Sequence, residues 1–280
     1  MHPNPSAFAD LFTQTIDAVP TYFVRPADTD KPSWCVYDCH GYRGTVHALP
    51  GVHEDGQRPL WHVQSLHERH IRLDDAVRAL RRPQTWPNHL DATRRWARQQ
   101  LRDRSLVVLD IQTTGLHHAW AVQIAVMDRD HRILFNERIN PLAAVTPGAE
   151  TLHGLSTRDT LDAPTFGDLL PDLTRTIQGR TCLVYNAAFG REVVTRELLR
   201  LNSRSGVTGT RLRSEHWHDV MTRYAVWKGL WAAHRQAYRY QRFGSAYEAG
   251  ANCRKLLDLV TSMASRPYPA PETLPTRWTW

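Results

Sequence analysis

Between residues 105 and 139 the chain alternates apolar runs with short polar turns: SLVVLD (105–110), AWAVQIAVMD (119–128) and HRILFNERI (131–139). Runs this short, rich in β-branched residues and separated by turns such as Asp128-Arg129-Asp130, predict a three-strand meander. Two helix-start signatures follow, Ser156-x-x-Asp159 and Thr165-x-x-Asp168, in which a hydroxyl caps open amides and an acid sits at the positive helix end. FGDLLPDLTRTI (166–177) then predicts a helix, TCLVYN (181–186) a fourth strand and AFGREVVTRELLRL (188–201) another helix. The stretches 216–230 and 247–264 predict two more. Strands followed by helices that cross back make an α/β sandwich.

Upstream the pattern is that of a smaller unit. Ala7 to Val19 predicts a short amphipathic helix, and WCVYD (34–38), GTVHAL (44–49) and PLWHVQSL (59–66) predict a small antiparallel sheet. Leu73 to Leu80 predicts a helix. Arg81-Arg82-Pro83 and Trp86-Pro87-Asn88 break it, and Asp91 opens a basic helix running to Ser105. The expected organisation is a small α+β unit over 1–88, a larger domain over 89–265 and a Pro-rich tail over 266–280. No internal repeat is evident.

Composition adds a partner class. The 280 residues are 41% hydrophobic, enough for a buried core, and carry a formal charge of +7. All but three of the 35 basic residues are arginine, the lysines being Lys31, Lys228 and Lys255. A guanidinium fork holds two phosphate oxygens at once, which favours phosphate-bearing partners. The four cysteines follow no disulfide pattern, the first residues show no signal peptide, and no run approaches the ~18 apolar residues of a membrane span. A cytoplasmic chain with reduced thiols and no membrane partner is the expectation. Cys35-x-x-x-Cys39-His40 is the nearest thing to a metal-ligand cluster, but adjacent Cys39 and His40 suit joint tetrahedral ligation poorly, and no structural metal is expected.

Four words in order carry a resemblance. LVVLDIQTTGL (106–116) is a strand ending where Asp-x-Glu-Thr-Thr-Gly would stand. INPLAAVTPGAETLHGLS (139–156) leads a proline-rich strand exit into a His-Gly-Leu-Ser turn. LVYNAAFGREV (183–193) matches Asn-x-x-Phe-Asp except at its last position, and AYEAGANCRKLLDLVTSMA (246–264) falls where a His-x-x-x-x-Asp helix is expected. The chain from about 104 to 265 thus resembles the DEDDh (DnaQ-like) 3′→5′ exonucleases. That resemblance implies a ribonuclease-H-like α/β fold, a mixed central sheet flanked by helices. In that family four carboxylates hold two divalent ions that activate a water and stabilise the departing 3′ oxygen, with a histidine as general base.

Position by position the inventory differs. Asp110 remains, but Gln112, Gly190, Tyr247 and Asn252 stand at the other motif positions. One carboxylate of four cannot offset two ions, and Tyr247 is a poor neutral-pH base. The expectation is a pseudo-exonuclease with no catalytic residues and no cofactor; Mg²⁺ or Mn²⁺, held by Asp110, enters only with residual activity. Thr113, Thr114, Gly115, Leu116, Asn186, Arg191 and Arg254 are the expected nucleic-acid contacts. Asp219 matches a family acid outside the metal set and is expected to be structural. The aromatic and basic stretch over 216–243 supplies either core or base-stacking groups.

The function expected is that of an accessory or scaffold subunit of a nucleoprotein complex, binding terminal or single-stranded nucleic acid beside protein subunits. Loss of the acids points away from proofreading and toward defence or mobile-element systems. The alternatives are a weak metal-dependent exonuclease and a protein-interaction module without nucleic acid.

Overall fold

Asp17 and Ala18, with φ of 54° and 59°, form a two-residue turn in which both central residues are left-handed, the geometry that matches the twist of a β-hairpin. They join β1 (Leu11–Ile16) to β2 (Val19–Val24) in antiparallel register. This corrects the helix expected over 7–19. Phe12, Gln14 and Ile16 alternate with Thr13 and Thr15, so the period is two, and β-branched residues favour the extended chain.

The computed structural model describes residues 10–27, 32–49, 60–205, 217–243 and 248–265. The described chain forms two compact units: residues 10–90 with 225–239, and residues 91–224 with 240–265. The boundary at 90 is therefore not the whole division, because the first unit reclaims a segment from late in the chain. The tail over 266–280 lies outside the described residues.

In the first unit β1 and β2 continue into β3 (Ser33–Asp38), β4 (Gly41–Leu49), β5 (Leu60–Val63) and β6 (Glu68–His70), each pairing antiparallel with the next. The three sheet segments read from the sequence are β3, β4 and β5; β6 was too short to see. Alternation sends Ile16, Phe23, Trp34, Val36, Val46, Trp61 and Val63 to one face, where α1 (Leu73–Leu80) covers them with Leu73, Ala76 and Val77. Arginines behind α1 hold the sheet's acids: Arg81 donates to Asp38 and to Thr21, and Arg82 makes two bonds to Glu68. Arg82 also donates to the Gly229 carbonyl, and the Trp86 indole to the Val226 carbonyl.

The second unit is built on β7 (Val107–Thr113), β8 (Ala121–Asp128) and β9 (Ile133–Arg138), the expected antiparallel meander. β10 (Cys182–Val184) pairs parallel to β7, and β11 (Trp217–Asp219) parallel to β10, giving the order β11-β10-β7-β8-β9. Helix α2 (Trp86–Arg102) begins five residues before the expected Asp91, because Pro87 falls in the first turn, where proline is tolerated. Short α3 (Pro147–His153), capped by Thr146, was not foreseen. Thr165 and Asp168 form the capping box of α4 (Phe166–Ile177) as expected, whereas Ser156 and Asp159 support only one 3-10 turn.

Helices α5 (Ala187–Ser205), α6 (Val220–Lys228) and α7 (Ala249–Ser265) complete the described set. Val107 and Leu109 face the core shared with Phe166, Leu170, Leu173, Val193 and Val194 of α4 and α5. The alternate residues of β7 face α7, whose Cys253 thiol lies 3.6 Å from the Val108 carbonyl. The stretch 216–243 is not one helix: β11 opens it, α6 stops at Gly229 with φ of 61°, and a small hairpin, β12 (Trp231–Ala232) and β13 (Ala237–Tyr238), follows.

Candidate functional site

Asp110 and Gln112 lie two apart on β7, so both side chains leave the sheet on the face that α7 covers. From α7, Asn252 donates its amide Nδ2 to Asp110 Oδ2 at 3.2 Å, and Gln112 Nε2 donates to the same oxygen at 2.5 Å. An ionised carboxylate only accepts, so both amides must present nitrogen to it. Burial of the carboxyl pushes its pKa up to about 6, against the lowering effect of the Asn252 and Gln112 bonds.

The position of the missing second-motif acid, Gly190, is buried near the start of α5. A Cβ placed there would meet Trp217 Cζ3 at 3.3 Å, Val184 Cγ1 at 3.5 Å and Ile111 Cδ1 at 3.8 Å. The three heavy atoms nearest such a Cβ are an indole carbon and two aliphatic carbons, so the position is packed against apolar groups.

Amides extend the site across the sheet. Gln123 pairs directly with Gln112 on neighbouring strands; its Nε2 donates to Asn136 Oδ1 and its Oε1 accepts from the Ala249 backbone. Asn136 Nδ2 in turn donates to exposed Glu248 at 2.7 Å. The sequence reading missed Gln123 and Asn136, since only strand register brings them here. Tyr247 lies outside the described residues. Among the described residues no three His, Cys, Asp or Glu side chains converge as a metal site. Asp110 with two amide N–H donors offers a divalent pair neither the charge nor the oxygen ligands it needs, and these residues do not fit the two ions that the resemblance implies.

The Thr113-Thr114-Gly115 turn is held from behind. Thr113 Oγ1 donates to the Gly115 carbonyl, Thr114 Oγ1 accepts from Trp120 N, and Thr146 N donates to the Thr114 carbonyl. His153 is buried with Nδ1 accepting from Leu155 N at 3.1 Å, which leaves Nε2–H to donate to the Thr113 carbonyl at 3.0 Å. Both threonines are thus buried and engaged internally, and the group the turn presents to solvent is Leu116, 75% exposed. Buried Glu197 of α5 accepts from Ala121 N and from Arg200, fixing the far end of this loop; burial raises its pKa.

The remaining expected contacts are dispersed. Asn186 caps α5 at φ 70°, its Oδ1 accepting from Phe189 N. Arg191 donates to the Trp217 carbonyl, and Arg254 is exposed two residues beyond Asn252, on the opposite side of α7. Asp219 accepts from Ala187 N with one oxygen and Thr222 N with the other, joining the N-termini of α5 and α6. Of the aromatic stretch, Tyr224, Trp227, Trp231 and Tyr238 are partly buried and Tyr240 is exposed. Cys35 and Cys39 are free thiols.

No family model matches the chain. Two curated relatives are similar over part of it: the DNA polymerase III subunit epsilon of Escherichia coli (strain K12), 30% identical over 94 residues, and that of Buchnera aphidicola, 25% identical over 114 residues. These matches cover 30% and 35% of this chain and 39% and 46% of the relatives, so the chain spans less than half the length of the curated relatives it matches. Among solved structures, exonuclease X in complex with 5′ overhanging duplex DNA is 19% identical with a TM-score of 0.38, covering 57% of this chain and 92% of that one. The zinc-bound E. coli ExoI–ssDNA complex is 14% identical with a TM-score of 0.42, covering 57% of this chain and 40% of that one. A sheet ordered β11-β10-β7-β8-β9, three antiparallel and two parallel strands flanked by helices, together with the epsilon similarity, makes the second unit a DnaQ-like exonuclease fold of the ribonuclease-H-like class.

Proposed function

We propose that the chain is a catalytically silent exonuclease-fold protein that holds single-stranded or terminal nucleic acid as an accessory or scaffold subunit of a nucleoprotein complex. The observation that carries this reading is the closure of Asp110. The one remaining motif carboxylate within the described residues accepts from Gln112 and Asn252, so amide protons stand where positive ions would otherwise balance the charge. The groups nearest Gly190, from Trp217, Val184 and Ile111, are apolar and supply no ligand oxygen, which supports the same reading.

Retention of the Thr113–Leu116 turn, braced by His153 and Thr146, supports binding without cleavage. The buried His153 bonds fix the turn, and exposed Leu116 on it offers an apolar surface suited to a terminal nucleotide. The epsilon similarity and the formal charge of +7 support nucleic acid as the ligand.

The test is incubation of purified protein with labelled single-stranded DNA and RNA in Mg²⁺, Mn²⁺ or EDTA, scoring retention and 3′ shortening together. Retention without shortening in every condition is the expected result. Shortening abolished both by EDTA and by Asp110→Ala would make the protein a metal-dependent exonuclease instead. Neither retention nor shortening would leave a protein-interaction module.

A further inference from the structure

Helix α2 has two faces. Leu90, Thr93, Ala97 and Gln100, spaced three and four apart, are buried. On the other side Arg95, Arg98 and Arg102 are exposed, with exposed Gln99 between them. At 3.6 residues per turn the three arginines fall within about 60° around the helix, and at 1.5 Å per residue they extend roughly 10 Å along it. A further exposed arginine, Arg104, follows just past the helix end.

The cations of a solvated helix are commonly balanced by acids three or four positions away. On this face they are not. Between residues 92 and 105 the acid is Asp103, and both its oxygens are engaged elsewhere: Oδ1 accepts from the Ser105 amide and hydroxyl, and Oδ2 from the Thr181 hydroxyl. Asp91, at the start of the face, lies 3.5 Å from Arg94. Among the described residues Arg95, Arg102 and Arg104 make no ion pair or hydrogen bond, and Arg98 donates Nε to a neutral acceptor, the Ala264 carbonyl. Guanidinium groups keep their charge at any physiological pH. Like charges one turn apart destabilise a helix, and for Arg95 and Arg102 no contact offsets that effect. The row is thus a feature the fold does not need for its own stability.

We propose that the α2 arginine row is a second nucleic-acid contact, holding the phosphate backbone of a strand at a distance from its end. The spacing fits, because a stacked strand rises 3.4 Å per nucleotide and the row spans about three phosphates. Each guanidinium fork can hold two phosphate oxygens, which a scatter of carboxylates on a protein surface would not match in register. The place fits as well. Ala264, which anchors Arg98, lies twelve residues beyond Asn252 on α7, roughly 18 Å along the helix axis. A strand ending at Asp110 would reach the row after about five nucleotides. The proposal rests on the reading of the chain as a nucleic-acid binder and adds where the body of the strand lies.

The experiment uses the full chain with Arg95→Gln and Arg102→Gln together, since neither side chain has a partner to lose and glutamine is a good helix former. Arg158→Gln with Arg175→Gln removes the same charge from exposed positions elsewhere in the unit. Affinity for single-stranded DNA of about 20 nucleotides is measured over a salt series for wild type and both double variants. Loss of two phosphate contacts should lower the slope of log K against log salt by about 1.4 in the α2 variant, while the control variant keeps the wild-type slope. In the wild-type protein, phenylglyoxal modification of Arg95 and Arg102, mapped by mass spectrometry, should slow when the strand is bound; this arm stands even if the variant unfolds. An unchanged slope, or arginines modified at the free rate with strand bound, would overturn the proposal and leave the Asp110-region reading standing. An equal fall in the control variant would reduce the row to net charge and overturn it too. No binding of the strand by wild type would overturn both readings. Tighter wild-type binding of poly-glutamate than of the strand, lost in the α2 variant, would overturn it in favour of an acidic protein partner.

Discussion

Asp110 shows how the neighbours of one residue set its ionisation. A carboxyl kept among metal-ligating acids must ionise, whereas one enclosed with two amides has its ionisation opposed by burial, and its pKa rises from 3.8 to about 6. The sign of the resulting pH dependence follows from proton binding. Between about pH 4 and 6 the folded state holds a proton that the unfolded state has released, so stability falls as pH rises through this window. The full penalty, reached above pH 6, is at most about 3 kcal/mol. Asp110→Asn removes the titration while retaining a carbonyl acceptor for the amides. The melting temperature of the variant relative to wild type should therefore climb between pH 4 and pH 7 and then level off. A difference independent of pH would mean that the carboxyl is hydrated and its neighbours are not an enclosing shell.

At the scale of elements, the turn after β7 depends on a residue forty positions away. His153 joins the Thr113 carbonyl to the Leu155 amide, and both bonds are buried. His153→Ala leaves a donor and an acceptor without partners, at a cost of about 1–3 kcal/mol for each. The expected outcome is a lower melting temperature together with weaker oligonucleotide retention, because Leu116 is presented by the turn that His153 braces. Retention unchanged at a temperature where the variant is fully folded would remove this turn from the binding surface.

What the sequence made legible at this scale follows the length of the hydrophobic pattern. The meander β7–β9, α1 and the capping box of α4 each have a periodic run or a cap within a few residues, and each was placed correctly. The N-terminal hairpin was misread because its turn residues, Asp17 and Ala18, carry no glycine to announce left-handed backbone. Strands β6 and β11 span three residues each, too few for a period. The site divided likewise. Asp110, Gln112, Gly190 and Asn252 were legible from motif spacing, whereas Gln123 and Asn136 join the amide network only through pairing between strands, and the apolar wall at Gly190 needed Trp217 from a strand the pattern did not show.

The largest-scale feature, the division of the chain, was the least legible because it is not sequential. Residues 225–239 group with residues 10–90, and the reason lies in specific contacts of that first unit. Gly229 sits where α6 ends, its carbonyl accepting from Arg82, while Arg239 reaches Asp75 at 2.9 Å and Tyr238 meets His89 at 2.8 Å. Gly229 has φ of 61°, and a Cβ there would lie 2.7 Å from the Trp86 ring and 2.9 Å from Arg82 Nε. Gly229→Ala should therefore cost about 1–2 kcal/mol in left-handed backbone and about 1–3 kcal/mol in overpacking. Local destabilisation of this kind is read by amide exchange, which reports opening segment by segment. Exchange should quicken in α1, whose Asp75 the segment's Arg239 holds, and in β5 and β6, which pack against α1, while the β7–β8 ladder keeps its wild-type protection. If β7 and β8 open to the same extent, the two units unfold as one and the compact division has no energetic counterpart. If only α1, β5 and β6 respond, a stretch that follows the exonuclease fold's fourth and fifth strands in sequence is energetically part of the N-terminal sheet unit.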